Sequence, residues 1–342
     1  MTRAIVVTRA MVVALAAIVA MVSSATAQTL KTVKDRGQLI CGVSEGLPGF
    51  SALDDKKQWA GFDVDLCRAL AAAIFNDASK VQFVGLSAGD RFQALSSKRI
   101  DVLVRNSTWT MERDTGSGLI FAAVNYYDGQ GFMVRKSLKI DTALELADKS
   151  ICTQSGTTTE LNLADYFRNN RMNYKAMTFP TADEALKAYD SGSCDAFTSD
   201  VSQLHGLRIK LSKPLDQVVL PEVISKEPLG PAVRQDDVQW LNIVKWTHFS
   251  MINAEELNVS RATLEGAMKS QKADVRRLLG LEGDLGEKIG LTKDWAARIV
   301  RLVGNYGEVF ERNVGADSKL AIPRGMNSLW DRGGIQYAPP LR

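Results

Sequence analysis

The chain reads Leu39-Ile40-Cys41-Gly42-Val43, then, after a loop, Asp63-Val64-Asp65-Leu66-Cys67-Arg68-Ala69-Leu70-Ala71-Ala72-Ala73-Ile74-Phe75, then Val81-Gln82-Phe83-Val84-Gly85. The outer two runs are short and apolar and predict strands. The middle one places Val64, Cys67, Ala71 and Ile74 on one face and predicts a helix. Strand, helix and strand at this spacing imply parallel pairing and an α/β domain. Working outward, residues 91–97 read as a short helix and 101–104 as another strand. The pattern restarts after Gly129-Gln130-Gly131. Strands are expected at 150–153, 174–179, 194–199 and 218–220, with helices at 157–169, 182–191 and 201–210 between them. The second unit repeats the first in architecture, without strong sequence identity. Two stretches read as crossovers between the units: residues 132–135, and Pro228-Leu229-Gly230-Pro231-Ala232-Val233 with its Pro and Gly punctuation. From Gln235 onward the chain reads as mostly helical. Its longest helical reading is 294–312, with Trp295, Ile299, Leu302, Val303, Tyr306 and Phe310 on one side. The tail after Val314 is irregular and rich in Gly and Pro.

The N-terminus predicts export. Arg3 and Arg9 precede an uninterrupted apolar run at 10–22, and Ser23-Ser24-Ala25-Thr26-Ala27 follows it. This is the layout of a secretory signal peptide over residues 1–27, cleaved before Gln28. The alternative, a membrane anchor, needs about 20 apolar residues. No cysteine follows the cleavage site to carry a lipid. Without the leader the chain has 40 basic and 39 acidic side chains, which argues against nucleic acid or acidic membrane as the main partner. With two histidines and no Cys-x-x-Cys, a zinc site is not expected, nor any other cofactor. The four cysteines, Cys41, Cys67, Cys152 and Cys194, are even in number in an exported chain, which favours disulfides. Connectivity is not fixed by sequence. Cys41 on its strand and Cys67 on the apolar stripe of the next helix can meet; exclusion would then pair Cys152 with Cys194, provided strand register brings them close enough. Four buried thiols are the other reading.

Three segments carry candidate chemistry, each directly after a strand, where open α/β sheets bind ligands. In Asn106-Ser107-Thr108-Trp109-Thr110-Met111-Glu112-Arg113, small hydroxyl side chains expose donors, and Arg113 offers a planar fork for a carboxylate. An exposed arginine near a turn is the plainer reading. Gln154-Ser155-Gly156-Thr157-Thr158-Thr159-Glu160 opens a helix whose N–H groups suit an anion, although a threonine with Glu three positions on is also a capping box. Asp200, ending Phe197-Thr198-Ser199-Asp200, suits an ammonium group or caps the following helix. Taken together, an arginine and hydroxyls from one unit and an aspartate from the other match the two charged ends of a free amino acid. His205 and His248 belong to no acid–nucleophile pattern. Trp240, Trp246 and Trp295 read as core, and Trp59 as packing beside Gly61-Phe62-Asp63.

These segments resemble the periplasmic solute-binding proteins of polar amino-acid ABC transporters, family 3. The matching motifs run in order as Gly61-Phe62-Asp63-Val64-Asp65-Leu66, Asp90-Arg91-Phe92-Gln93-Ala94-Leu95, Ile100-Asp101-Val102-Leu103, Thr110-Met111-Glu112-Arg113, Gln154-Ser155-Gly156-Thr157-Thr158, Glu184-Ala185-Leu186 and Asp195-Ala196-Phe197. They span about residues 38–235. The long C-terminal extension, with Arg324-Gly325-Met326-Asn327 and Leu329-Trp330, resembles the branch that binds general L-amino acids. The resemblance implies a two-lobed, type II periplasmic-binding-protein fold, each lobe a mostly parallel sheet flanked by helices. Residues 28–131 would form the first part of lobe I and 132–230 lobe II. Residues 231–342 would return to lobe I and add the helical extension. It also implies a monomeric, non-enzymatic periplasmic component that delivers free L-amino acids to permease subunits in the inner membrane. Arg113 takes the position of the carboxylate-binding arginine, with Thr108 its hydroxyl partner and Asn106 in the same loop. Thr158 takes the helix-start position, and Asp200 that of the ammonium-binding aspartate. Where relatives often carry a stacking aromatic this chain has Leu47, with Phe50 nearby. Ser44 stands where relatives selective for basic ligands carry an acid. Both departures point to broad selectivity. The rival expectation is a cyclohexadienyl or arogenate dehydratase-like enzyme on the same fold, with Glu45 the nearest acid for general acid–base work.

Overall fold

A computed structural model describes residues 28–342, so the leader expected at residues 1–27 lies outside the described residues. Helix α1 (Gln28–Arg36) leads into β1 (Leu39–Ser44). A small hairpin of β2 (Ala52–Leu53) and β3 (Trp59–Ala60) follows, then α2 (Phe62–Phe75), β4 (Val81–Leu86), α3 (Arg91–Ser96), β5 (Val102–Leu103), α4 (Met111–Gly116) and β6 (Leu119–Phe121). The chain crosses on β7 (Tyr126–Asp128) into a second unit: β8 (Gln130–Arg135), β9 (Ser150–Gln154), α5 (Thr158–Asn169), β10 (Lys175–Phe179), α6 (Ala182–Asp190), β11 (Ala196–Asp200), α7 (Val201–Arg208) and β12 (Gln217–Val219). It returns on β13 (Glu227–Leu229) to β14 (Ala232–Arg234). Six α-helices follow: α8 (Val238–Glu256), α9 (Leu264–Ala267), α10 (Ala273–Leu278), α11 (Leu285–Lys288), α12 (Trp295–Leu302) and α13 (Tyr306–Asn313), and then two 3-10 turns, Gly325–Asn327 and Trp330–Arg332.

The two sheets share one plan. The first runs β4-β1-β5-β14-β6 and the second β10-β9-β11-β8-β12. In each, the strands joined by crossover helices pair in parallel, and the strands that arrive from or return to the other lobe pair antiparallel. The fold is therefore the expected two-lobed α/β arrangement. Parallel strands covered by helices on both faces need apolar side chains throughout, and this is why β1 and β5 read as unbroken apolar runs. Helix α2 is buried nearly all round, between the first sheet and helices α8 and α12. Its run of Ala69, Ala71, Ala72 and Ala73 lets those elements approach closely. The disulfides tie the same layers: Cys41 of β1 to Cys67 of α2, and Cys152 of β9 to Cys194 just before β11, with Cα atoms 6.2 and 5.7 Å apart.

Two sequence expectations are corrected. Residues 132–135 are not a crossover: Phe132 is buried inside the second sheet, on β8. The crossing strands are β7 and β13, an antiparallel pair with Tyr127 opposite Pro228. Nor is 294–312 one helix. It breaks between α12 and α13, where Gly304 takes a φ of 105° and Asn305 caps α13 in a box with Glu308. Among the described residues the longest helix is instead α8, with 19 residues.

Candidate ligand-binding cleft

The carboxyl ends of β1, β5, β9 and β11 face one another across the two lobes, and the loops that leave them line a cleft. Its inner part is a recess of about 20 Å³ lined by Arg91, Arg105, Thr108, Arg113, Thr158 and Asp200 among others. Arg105, Gln154 and Gln203 also line a larger cavity of about 130 Å³ beside it, together with Ser44, Glu45 and Leu47 of the first lobe and Thr181 and Asp183 of the second. Recess and cavity therefore adjoin, with these three side chains as their common wall. The segments singled out from sequence meet here: Arg113, Thr108 and Asn106 from the first lobe, Thr158 and Asp200 from the second. Ser44 and Leu47 line the larger cavity. Phe50 does not: it is fully buried in an aromatic cluster with Phe62 and Tyr126.

Local structure fixes each side chain. Thr110 caps α4 by accepting from the Arg113 N–H. The Arg113 guanidinium turns back to donate to the Thr108 carbonyl at 2.8 Å. Arg91 and Arg113 both lie against the ring of Phe92, 4.8 and 5.3 Å from its centroid. Burial lowers the pKa of both arginines, and that of Arg105 falls to about 10 for the same reason, with Glu45 and Asp63 opposing the fall. Asn106 sits at a φ of 25°, a left-handed conformation that a non-glycine residue rarely adopts. Its N–H donates to Asp63 at 3.0 Å, and burial pushes the Asp63 carboxyl up to about 7. Arg91 Nε and Asn106 Oδ1 are buried with no hydrogen-bond partner among the described residues.

The second lobe resolves two ambiguities of the sequence. The N-cap of α5 is Thr157, which accepts from the Glu160 N–H, so the neighbouring Thr158 is free of capping. Asp200 makes no capping bond to α7. It is 5% exposed, and its carboxyl is pushed well up, first by burial and then by the carboxylates of Asp128 and Glu227, against the pull of Arg91 and Arg113. Asp128 is itself raised to about 6, mainly by burial. Asp200 thus sits where the carboxylates of Asp128 and Glu227 and the guanidiniums of Arg91 and Arg113 all act on its charge.

Sequence reasoning missed Glu227, Arg91 and Arg105. Glu227 lies on the crossing strand β13, is 1% exposed, and accepts side-chain hydrogen bonds from Thr108, Thr158, Asn162 and Ser225. The available signal was a carboxylate set in an apolar, proline-punctuated crossover. For Arg105 it was a charge ending an otherwise apolar strand at the sheet's carboxyl edge. His248 is buried against the Val124 carbonyl, and the imidazole of His205, partly buried, is not among the lining residues. Trp240 and Trp295 are core, and Trp59 packs on Phe83.

Comparison with known proteins gives a consistent picture. The model for bacterial extracellular solute-binding proteins, family 3, matches residues 39–263. The general L-amino acid-binding periplasmic protein AapJ of Rhizobium johnstonii is 54% identical over 322 residues, 94% of each chain. The glutamate/glutamine/aspartate/asparagine-binding protein BztA of Rhodobacter capsulatus is 52% identical over 320 residues, 93% of this chain and 95% of that one. A solved ABC transporter periplasmic binding protein from Brucella ovis with glutathione bound superposes with a TM-score of 0.91 at 53% identity, covering 92% of this chain and 99% of the other.

Proposed function

The chain belongs to the bacterial extracellular solute-binding proteins of family 3, and on that premise we propose that it is the periplasmic binding component of an ABC transporter for free L-amino acids, with broad selectivity. The observation that carries this reading is the pairing of Arg113 from one lobe with Asp200 from the other on a single narrow recess. Arg113 would hold the α-carboxylate through two parallel hydrogen bonds. Asp200 would hold the α-ammonium, a cation that counters the burial and like charges now raising its carboxyl. The adjoining cavity of about 130 Å³, with both acidic and basic groups on its walls, would take the side chain. Mixed charge there supports acceptance of more than one ligand class. So do the names of AapJ and BztA, and the glutathione bound to the Brucella protein. The γ-glutamyl end of glutathione carries a free ammonium and carboxylate on one carbon, the same two handles.

Capture works by closure. A ligand that touches Arg113 in one lobe and Asp200 in the other makes both contacts only when the lobes are together, so it shifts the population toward the closed form. The closed protein would then deliver its cargo to permease subunits in the inner membrane. The relatives above are likewise named as binding proteins, which supports this reading over an enzymatic one.

A thermal-shift screen over the twenty amino acids and glutathione, followed by titration calorimetry on Arg113→Ala, tests the reading. Several amino acids should stabilise the protein, by an amount that rises with the logarithm of ligand concentration over dissociation constant. Removing Arg113 leaves a desolvated carboxylate unpaired and should cost about 3–5 kcal/mol, about a hundred- to several-thousand-fold in affinity. Affinities that survive the substitution for every ligand would remove Arg113 from the site.

A further inference from the structure

We propose that Glu227 is a positioning residue: it commits the hydroxyl protons of Thr108 and Thr158 and so turns both threonines into hydrogen-bond acceptors for the ligand's ammonium group. This rests on the amino-acid reading of the cleft. The Glu227 carboxylate is filled on both oxygens. One accepts from the Thr108 hydroxyl at 2.5 Å and the Thr158 hydroxyl at 2.9 Å. The other accepts from the Asn162 amide at 2.7 Å and the Ser225 hydroxyl at 2.6 Å. A carboxylate is an acceptor, and a hydroxyl has a single proton. Once Thr108 and Thr158 have each given that proton to Glu227, only lone pairs remain for the recess both residues line.

The two hydroxyl oxygens lie 3.3 Å apart. With both protons directed at Glu227, this contact sets lone pair against lone pair, and a shared N–H donor relieves it. An ammonium carries three such donors, so with one shared between the threonines two are left, one of them for Asp200. A hydroxyl held this way does not donate to a carboxylate. The Thr108 side chain therefore belongs to the ammonium end, rather than to the carboxylate end where family resemblance sets it beside Arg113. Glu227 lies on a crossing strand while Thr108 and Thr158 come from different lobes, so one carboxylate sets both oxygens at once.

Asn162 makes the test selective. Its amide N–H fixes which end of a substituted side chain must be an oxygen. In Glu227→Gln the new carbonyl therefore faces Asn162, and the new NH₂ faces the threonines. Both hydroxyls must then accept from Gln and turn their protons into the recess, which opposes an ammonium and leaves a neutral hydroxyl far less affected.

The experiment is titration calorimetry on wild type and E227Q with two matched pairs, L-glutamate with (S)-2-hydroxyglutarate and L-leucine with (S)-2-hydroxy-4-methylpentanoate, weak members being measured by displacement. The preference of wild type for amino over hydroxy acid should fall by about tenfold or more in E227Q. A purely structural role would weaken both members of a pair alike. An unchanged preference, in a wild type that binds amino acids, overturns the inference and leaves the proposed function standing. A wild type that binds no amino acid overturns the proposed function itself. Should E227Q fail to fold, Thr158→Val removes one oriented acceptor at nearly constant volume. The same fall in preference is then expected, and its absence overturns the proposal.

Discussion

His248 is a buried imidazole on α8, its Nε2 3.1 Å from the Val124 carbonyl and its ring edge-on to Tyr306. Burial lowers its pKa from the ordinary 6.5 to about 4. In the unfolded chain the ring protonates below about pH 6.5, whereas the folded protein keeps it neutral until about pH 4. Stability tied to His248 is therefore complete above 6.5 and is lost as the pH falls toward 4, by about 3 kcal/mol. Asp63 and Asp128, raised to about 7 and about 6, run the other way and favour the fold as the pH falls through the same window. The wild-type profile mixes these effects, and His248→Gln, which keeps a donor for Val124, isolates one of them. Urea unfolding at pH 7 and pH 4.5 should show wild type losing more stability than the variant over that interval; parallel losses would mean that His248 does not titrate as described. At this scale the sequence was most legible where chemistry-bearing residues followed strands, as with Arg113, Thr108, Thr158 and Asp200. The cap reading of Asp200 could be rejected only by geometry. The role of Glu227 was hard to read because Thr108, Thr158 and Asn162 lie 119, 69 and 65 residues away and meet it only in the fold.

Helix α7 carries Gly206 in its interior, where glycine costs about 1 kcal/mol relative to alanine. The reason lies in the other lobe: a Cβ at Gly206 would sit 2.7 Å from the Pro48 carbonyl oxygen and 3.4 Å from a methyl of Leu47. The bare helix surface lets α7 close on that loop. Gly206→Ala should strengthen α7 in isolation yet hold the lobes apart. Overpacking of this kind costs about 1–3 kcal/mol, a loss of about 5- to 150-fold in ligand affinity. Calorimetry should register that loss while the melting temperature of the ligand-free protein does not fall; full affinity in the variant would show that closure does not need the contact. Elements were legible from periodicity, and their ends less so. Residues 294–312 read as one helix because α12 and α13 bury side chains in the same core, so the apolar rhythm continues across the break. Gly304 and the Asn305–Glu308 capping box were the local signs of the stop. The first crossover was set too late because β7 and β8 follow one another with a single residue between them, and the apolar run Phe132-Met133-Val134 falls only in the second of them.

The C-terminal extension acts on the whole molecule through the crossing strands. Tyr127 stands opposite Pro228 in the β7–β13 ladder. Proline has no N–H, so this pair is the outward-facing kind, with both backbone groups of Tyr127 turned to the other edge of β7. There the Asn327 side chain accepts from the Tyr127 N–H at 2.7 Å and donates to its carbonyl at 3.0 Å, as a neighbouring strand would. Gln336 and Tyr306 both donate to the Asn125 carbonyl, at 3.2 and 2.9 Å. On the far edge of β13, the Trp109 N–H donates to the Pro228 carbonyl at 2.8 Å. The first crossing strand is thus gripped from both sides, by the second crossing strand and by a tail that packs on α8 and α13. Asn327 stands where a further strand would pair with β7, a contact that the irregular composition beyond Val314 did not disclose. Asn327→Ala leaves a half-buried backbone amide and carbonyl at Tyr127 without their partner and should cost about 1–3 kcal/mol locally. Hydrogen exchange should speed up at the amide of Tyr127 and its neighbours, while the second-lobe core around Phe132 and Phe167 keeps its protection. If exchange at Tyr127 is unaltered, the tail does not brace the crossover. If it rises equally in both lobes, the loss is global rather than seated at the pivot.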